Sequence, residues 1–324
     1  MKKIFITILI LSVIIVGIPL TTVLFFKSSK KDNNVNITEK ILVYIKEEDK
    51  VVNMDINQYL KEVIAGEMPA EFNTEALKAQ AVAARTYLIN RIITYKNSEI
   101  PEVHKGGYIC TDSTHCKAWI SEEKIKEKWD KEKRDFYWKK ISDAVDNTDD
   151  IIITYKGSPI SAVFHSTSSG YTENAKDVWG SDVKYLVSVK SDGEEKSPRY
   201  YSEVELTHDE FKKIATENIE NVNFNDELIG KIIKSDAGGI IYIDIGNVKV
   251  KGTDFRFIYG LRSTNVQITI TDTTIKMSVK GYGHGVGMSQ YGANHLAGEG
   301  KNYEEILKTY YTNVELNKYN NLEL

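Results

Sequence analysis

The 324-residue chain has no excess of positive charge: 42 Lys and Arg against 46 Asp and Glu leave a formal net charge of −4. Proteins that bind nucleic acid without regard to sequence neutralise phosphates with a basic surface. This composition does not supply one beyond a local patch, so nucleic acid is not expected as a partner. No fixed-period repeat runs along the chain, which excludes a solenoid or propeller. No Gly-Lys-Ser or Gly-Lys-Thr follows its glycine-rich loop, so a nucleotide P-loop is unsupported. Cysteine is scarce, with two in the whole chain beside six histidines. What is present suits a folded protein: 41% hydrophobic and 27% charged residues can build one large core or two modest ones. Nineteen tyrosines against ten phenylalanines suit sugar rings, but half-buried sheet surfaces explain them as simply.

The N-terminus carries the clearest physical signal. Ile4 to Phe26 holds no charged residue, and as a helix at about 1.5 Å per residue it matches the thickness of a bilayer core. Residues 1–27 are therefore expected to anchor the chain in a membrane as a single span. A cleaved signal peptide fits less well, because the apolar run is long for one and no small-x-small site follows. Lys2 and Lys3 precede the run while Lys27, Lys30 and Lys31 follow it, so charge counting leaves the orientation open. Pro19 within it is a tolerated kink. Residues 28–40, with KKDNNV at 30–35, lack the apolar surface to fold and read as a tether. The body then spans 41–324.

Within the body, ILVYI, EEDK and VVNM read as a hairpin. Asp55, with Gln58 three residues on, has the form of a capping box opening a helix whose Ile56, Leu60, Val63 and Ile64 share a face. That helix should stop at Gly66, since Pro69 disfavours a helical Met68. A second begins near Asn73, with Glu75 in its first turn and a stripe of Leu77, Ala81, Ala84 and Leu88. Glu122 to Asp143, highly charged with Trp129, Phe136, Tyr137 and Trp138 interleaved, reads as a surface helical excursion. Strand signals then dominate: IIITY and ISAVFH as a hairpin about Lys156-Gly157, followed by YLVSV, IIYIDI, VQITI and IKMSVKG. Helices are expected at His208 to Ala215 and Tyr303 to Tyr311. The fold class is α+β, helical first and mostly antiparallel strand later, as one domain or as sub-domains 41–147 and 148–324.

Glu67 stands out chemically. It falls in the break between two predicted helices, with Ile64, Met68 and Phe72 placed to desolvate it, and burial raises a carboxyl pKa toward that of a useful general acid. Spacing alone also permits a plain structural role. Glu71, Glu75 and Glu173 are rival carboxylates, of which the first two suit dipole stabilisation of the second helix.

A second cluster comprises His104, Cys110, His115 and Cys116, four potential ligands within thirteen positions. Two thiolates and two imidazoles complete a tetrahedral zinc shell of the closed, structural kind. A Cys110–Cys116 disulfide is the alternative in an oxidising compartment. Zinc is preferred because a disulfide leaves the histidines unexplained.

Three stretches carry a resemblance. They are Glu67-Met68-Pro69 before EALKAQAVAART, Phe164 to Trp179 (FHSTSSGYTENAKDVW), and Gly281 to Ala293 (GYGHGVGMSQYGA). In this order, behind an apolar segment, they resemble the stage II sporulation protein D family, which is related to the amidase-enhancer group. The resemblance implies a lytic transglycosylase that cleaves between N-acetylmuramic acid and N-acetylglucosamine, with Glu67 as the acid/base. One carboxylate suffices if the muramic 6-hydroxyl is the nucleophile, where ordinary glycoside hydrolases need two.

The family pattern makes His165, Ser168, Ser169 and Tyr171 one wall of a substrate groove, with His284, Gln290 and Tyr291 supplying further contacts. Its glycine loop would let sugar approach backbone amides. Gln80 and Arg85 are candidates to orient Glu67 or touch substrate. The resemblance also implies peptidoglycan glycan strands stripped of stem peptides as substrate, and stage II sporulation proteins P, an amidase, and M as partners. The working site would be extracytoplasmic, in the septal space during engulfment. The competing function is a non-catalytic glycan-binding enhancer of a cell-wall amidase. A zinc amidase is disfavoured because four protein ligands leave no vacant position.

Overall fold

The structure, a computed structural model, describes residues 40–319 apart from 97, 113, 114 and 226. The expected anchor and all of the tether except Lys40 lie outside the described residues. No helix among the described residues is long and apolar enough to cross a membrane.

The chain opens with the expected hairpin, β1 (Lys40–Ile45) against β2 (Lys50–Asp55), antiparallel with Val43 opposite Val52. Helix α1 (Ile56–Glu67) follows, and Asp55 caps it by accepting the Gln58 N–H at 2.9 Å. Only half of a capping box forms, because the Gln58 amide donates instead to Glu62 Oε1 at 2.9 Å. Pro69 forces Met68 into an extended conformation, φ −124° and ψ 143°. The helix nevertheless runs one residue past Gly66, so Glu67 is its last residue and not part of a break.

Helix α2 (Thr74–Lys96) is the central element. The expected single stripe is an underestimate: Ala76, Leu77, Gln80, Ala81, Ala83, Ala84, Arg85 and Leu88 are all buried, as in a helix enclosed on every side. Its run of small residues lets neighbours approach closely. β3 (Ile109–Cys110) pairs in parallel with β1. The charged segment forms two helices, α3 (Glu122–Lys128) and α4 (Arg134–Asp146). Far from being an excursion, α4 packs on α1 and α2 and buries Tyr137, Ile141, Ala144 and Val145.

β4 (Ile151–Tyr155) pairs with the short β5 (Ser158–Pro159), but the hairpin ends there. β6 (Phe164–His165) pairs instead, in parallel, with β13 (Met288–Ser289) near the other end of the chain. A short helix α5 (Ala175–Trp179) follows, and YLVSV is loop and not strand.

Residues 201–280 build a second core. There β7 (Tyr201–Thr207) leads into α6 (His208–Asn218), whose capping box joins Thr207 and Glu210. β8 (Ile229–Lys234), β9 (Ile240–Ile245) and β10 (Val248–Lys251) form one antiparallel sheet, after which comes α7 (Gly252–Ile258). β11 (Val266–Ile270) and β12 (Thr274–Lys280) form another with β7. Phe211, Ile243, Phe255, Ile275 and Met277 meet between the layers. The ends of this unit are joined by the Gly281 N–H donating to Tyr200 O at 2.7 Å.

Two last helices, α8 (Gln290–Gly298) and α9 (Tyr303–Tyr310), pack back on α2, and β14 (Glu315–Lys318) completes the β4 sheet. A cut at residue 147 would pass through this core: the described residues cluster as one unit, elaborated by the 201–280 segment. The class is α+β with mostly antiparallel sheets.

Candidate active site

Glu67 projects from the end of α1 and is half-buried. Its Oε1 accepts the Ala118 N–H at 2.9 Å, and its Oε2 lies 3.5 Å from Gln290 Nε2 at the start of α8. Three distant segments thus meet at one carboxylate, of which one oxygen is firmly held and the other only loosely. Ile64, Met68 and Phe72, expected to shield it, are buried in the core. The loop behind it is pinned by Lys140, whose ammonium donates to Ala70 O at 3.1 Å and Phe72 O at 2.5 Å.

Rival carboxylates are engaged elsewhere. Glu71 hydrogen-bonds Tyr137. Glu75 pairs with Lys78 and accepts the Tyr303 N–H at 2.9 Å. Glu173 is buried against the Gly239 N–H at 3.0 Å, and burial raises its pKa.

The segment that reaches Glu67 runs along α1. Glu62, one turn earlier on the helix, accepts from Trp119 Nε1 at 2.9 Å and from the Glu122 N–H at 3.1 Å. Just before these staples lies Lys117, 8% exposed, with its ammonium 3.6 Å from the Phe164 ring centre and 4.5 Å from that of Tyr87. Burial lowers its pKa to about 8, an effect opposed by the negative charge of Glu67. Sequence reasoning missed Lys117, Ala118 and Glu62. The available signal was the position of Lys117 directly after Cys116.

Of the remaining candidates, His284 donates from Nε2 to Phe164 O at 3.0 Å, a tautomer fixed by the Val286 N–H donating to Nδ1 at 3.1 Å. Its ring lies 5.2 Å from that of the exposed Trp179. His165 donates from Nδ1 to Val286 O at 3.2 Å; burial lowers its pKa to about 4. Tyr291 packs edge-on against Phe72 at 4.9 Å, and Tyr171 is half-exposed.

Other assignments need correction. Ser168 is buried and bound through N–H and Oγ to Glu194, at 3.0 and 2.9 Å. Ser169 Oγ accepts from Asn265 Nδ2 at 3.0 Å. Ser168 thus shapes the chain, while Ser169 is half-buried and lines a hollow together with Tyr171 and His284. Arg85 is fully buried, donating to the carbonyls of Thr148 at 2.6 Å, Val145 at 3.1 Å and Ile151 at 3.3 Å. It ties down the end of α4 and does not orient Glu67. Gln80 is fully buried in α2, so it is not exposed to a substrate. The glycine loop packs against the protein itself: a Cβ at Gly287 (φ +73°) would lie 2.2 Å from Val163 O, and one at Gly283 (φ +116°) 2.7 Å from His165 Cβ.

The contacts form an unbroken series through Glu67. On one side Gln290 adjoins Tyr291, which with Phe72, Asn73 and Lys196 lines a cavity of about 440 Å³. On the other, Lys117, Phe164 and His284 lead to Trp179, at the wall of a cavity of about 400 Å³. Glu67 lines neither cavity. A larger hollow of about 770 Å³ beside Phe257 and Tyr242 holds none of these residues.

His104, Cys110, His115 and Cys116 converge as expected, their ligand atoms all within 4.8 Å of one another. His104 Nε2 lies 3.1 Å from His115 Nδ1 and 3.2 Å from Cys116 Sγ, and Cys110 Sγ lies 3.6 Å from His115 Nδ1. A tetrahedron of Zn–N and Zn–S bonds puts ligand atoms about 3.3–3.8 Å apart. Both cysteines are free thiols. His104 Nδ1 is 3.2 Å from Gly107 O, leaving Nε2 to ligate. Adjacent His115 and Cys116 face one point because a turn carries them, both N–H groups donating to Asp112 O.

Fold and site define a class: an α+β protein presenting a carboxylate with one oxygen held and the other loosely engaged at a helix end, beside aromatic surfaces drawn from distant segments. Comparison with known proteins supplies the family. The family model described as stage II sporulation protein matches residues 44–155. The chain is 34% identical to stage II sporulation protein D of Bacillus subtilis (strain 168), covering 98% of this chain and 96% of the relative. Identity to the protein of that name from Bacillus amyloliquefaciens is 37%, over 85% and 78%. It is also 30% identical to the amidase enhancer of Bacillus subtilis (strain 168), over 80% of this chain and 40% of that relative. The chain belongs to the stage II sporulation protein D family, with the amidase enhancer as a further relative.

Proposed function

We propose that the protein is a lytic transglycosylase of peptidoglycan glycan strands, with Glu67 as its acid/base. The observation that supports this best is the isolation of Glu67: one oxygen is held by Ala118, the other is only loosely engaged, and Glu71, Glu75 and Glu173 are all engaged elsewhere. A single carboxylate suits a reaction whose nucleophile belongs to the substrate. Protonated Glu67 gives its proton to the O4 of the departing N-acetylglucosamine as the bond to C1 of N-acetylmuramic acid breaks. The resulting carboxylate takes the proton of the muramic 6-hydroxyl as O6 bonds to C1. No water is consumed, and a 1,6-anhydro end forms.

Digestion of purified glycan strands tests this by product mass: anhydro ends support it, and hydrated reducing ends refute it. Glu67→Gln should lower turnover by about 10²–10⁴-fold, the usual worth of a general acid/base. The amidase-enhancer relative favours a second reading, a glycan-binding partner that stimulates an amidase. In that case Glu67→Gln retains full effect.

Zinc is the proposed occupant of the four-residue cluster, as a structural ion that closes the shell and takes no part in the reaction. The proposed setting is extracytoplasmic, anchored by residues 1–27, with stage II sporulation proteins P and M as partners.

A further inference from the structure

Trp179 ends α5 at an exposed position, 45% open to solvent, where a large aromatic ring adds little to the core. The left-handed conformation of Gly180 (φ +78°) closes the helix behind it. α5 itself is pinned: the Ala175 N–H donates to Leu186 O at 3.0 Å, and Asn174 donates to Asp177 Oδ2 and accepts the Ser188 N–H, both at 2.9 Å. The other wall of the 400 Å³ cavity beside Trp179 comes from the 201–280 unit. It consists of Tyr242 on β9 with Lys251, Thr253 and Asp254, where β10 passes into α7. Gly252 lets that corner close down on β9, since a Cβ there would lie 1.7 Å from Ile240 O. Glu173, two residues before α5, fastens the two walls together by accepting the Gly239 N–H on Oε1 at 3.0 Å. The cavity is therefore a preformed seam between the 201–280 unit and the rest of the chain.

The chemistry of its lining selects among ligands. Lys176 and Lys251 balance Asp177 and Asp254, and none of the four is in an ion pair among the described residues. Nothing there favours a ligand of one net charge. Charged hydrogen-bonding groups around an exposed aromatic ring suit a pyranose, which is apolar on its C–H faces and carries hydroxyls and amides at its rim. We propose that this seam is a remote glycan subsite, in which an uncharged N-acetylglucosamine ring stacks on Trp179 away from the reacting bond. The proposal deepens the glycan reading of the Glu67 site and rests on it. Trp179 packs on His284 at 5.2 Å, His284 donates to Phe164 O at 3.0 Å, and the Phe164 ring lies under Lys117, whose neighbour Ala118 holds Glu67. A strand that follows this series past Glu67 reaches the seam several groups away from the carboxylate. The contact is then the same before and during bond cleavage, and it gives the 201–280 unit a task, the retention of long strands.

Titration of the isotope-labelled, full-length Glu67→Gln chain with the tetramer of N-acetylglucosamine tests this without requiring turnover. The chain has four tryptophans, and the indole N–H signal missing from Trp179→Phe is that of Trp179. That signal should move on titration. Trp179→Ala should weaken tetramer binding about 10-fold, and Asp254→Ala, on the other wall, about 3- to 10-fold. In turnover of long strands by the chain with Glu67 intact, Trp179→Ala should raise KM about 10-fold, the loss falling on KM and shrinking as the strands shorten. An unmoved Trp179 signal overturns the proposal, whether or not the Ala variants fold. So does tetramer affinity unchanged by Trp179→Ala, or a signal that moves with a sugar-free stem peptide and not with the tetramer, which would make the seam a peptide site. A loss of equal size on strands of every length would put Trp179 at the reacting rings and overturn the remote subsite. Tetramer binding without strand cleavage keeps the subsite and removes the reaction; cleavage with an unmoved Trp179 signal does the reverse.

Discussion

Replacing Glu62 by Ala should cost more than its place on a helix flank suggests. The side chain is 5% exposed and accepts from Gln58 Nε2, Trp119 Nε1 and the Glu122 N–H, at 2.9, 2.9 and 3.1 Å. Removing the acceptor strands three donors, each worth about 1–3 kcal/mol if kept from water. Trp119 and Glu122 are only half-buried, so water recovers part of the loss, and the expected cost is about 2–4 kcal/mol. Burial raises the Glu62 pKa, so the native state favours its protonated form. The carboxyl's contribution is therefore present below the unfolded value and is lost as pH rises through the folded one. At neutral pH, Glu62→Gln removes that desolvation penalty and keeps one acceptor, so it should lie within about 1 kcal/mol of wild type. Denaturant melts of the two variants measure both differences. Because Glu62 holds the segment whose Ala118 amide grips Glu67, Glu62→Ala should also release the Ala118 amide to faster hydrogen exchange and lower glycan turnover by about 10- to 100-fold. Wild-type stability with unchanged Ala118 protection would refute the stapling argument.

Arg85→Met should destabilise by about 3–5 kcal/mol, since it strips three buried carbonyls of a charged donor at the end of α4; a denaturant melt showing a loss below 1 kcal/mol would return Arg85 to the list of site residues. His165 is neutral in the folded state, with its pKa lowered from 6.5 to about 4 by burial. It stabilises above pH 6.5 and this contribution is lost as pH falls toward 4, about 2 kcal/mol of it by pH 5. His165→Asn should flatten that part of the stability profile relative to wild type, and parallel profiles for the two proteins would contradict the assignment. Elemental analysis should find about one zinc per chain, and chelation should lower the melting temperature of wild type but not of Cys110→Ser; a metal-free protein that melts identically would dispose of the ion.

What was legible in the sequence was local. Pro69 dictates the end of α1, Asp55 its start, and the run of alanines the crowding around α2. The ligand cluster was readable because its four members lie within thirteen positions. Polar residues of α2 were misleading for a physical reason: in a helix buried all round, periodicity carries no direction. Gln80 and Arg85, set in the family motif, therefore pointed to the site on paper and into the core in fact. Ser168 and the glycine loop shared that fate, since their contacts with Glu194 and Val163 are made across the chain. Ala118 was invisible because nothing local marks a backbone amide that serves a carboxylate 51 residues earlier. The 201–280 core was seen only as scattered strands and one helix, because closing it depends on Gly281 returning to Tyr200.

The adjacency of residues 116, 117 and 118 carries the argument furthest. Cys116 belongs to the ligand cluster, Lys117 stands between Tyr87 and Phe164, and Ala118 holds Glu67. Two peptide units span at most about 7 Å, too short a stretch to absorb a displacement at one end without moving the other. The Glu62 contacts to Trp119 and Glu122 and the Ile120 N–H to Glu62 O fix the far end of the segment on α1. The near end emerges from the turn at Asp112, which Lys46 holds through its ammonium on Asp112 and its N–H on the Thr111 hydroxyl at 3.0 Å, and the four ligands bring Cys116 onto His104. An ion in the cluster would thus act on the carboxylate by holding its amide partner in place, without ever meeting the sugar. Loss of the ion should then reduce turnover in proportion to exposure of the Ala118 amide, and a chelated protein that keeps that amide protected while losing activity would break the link.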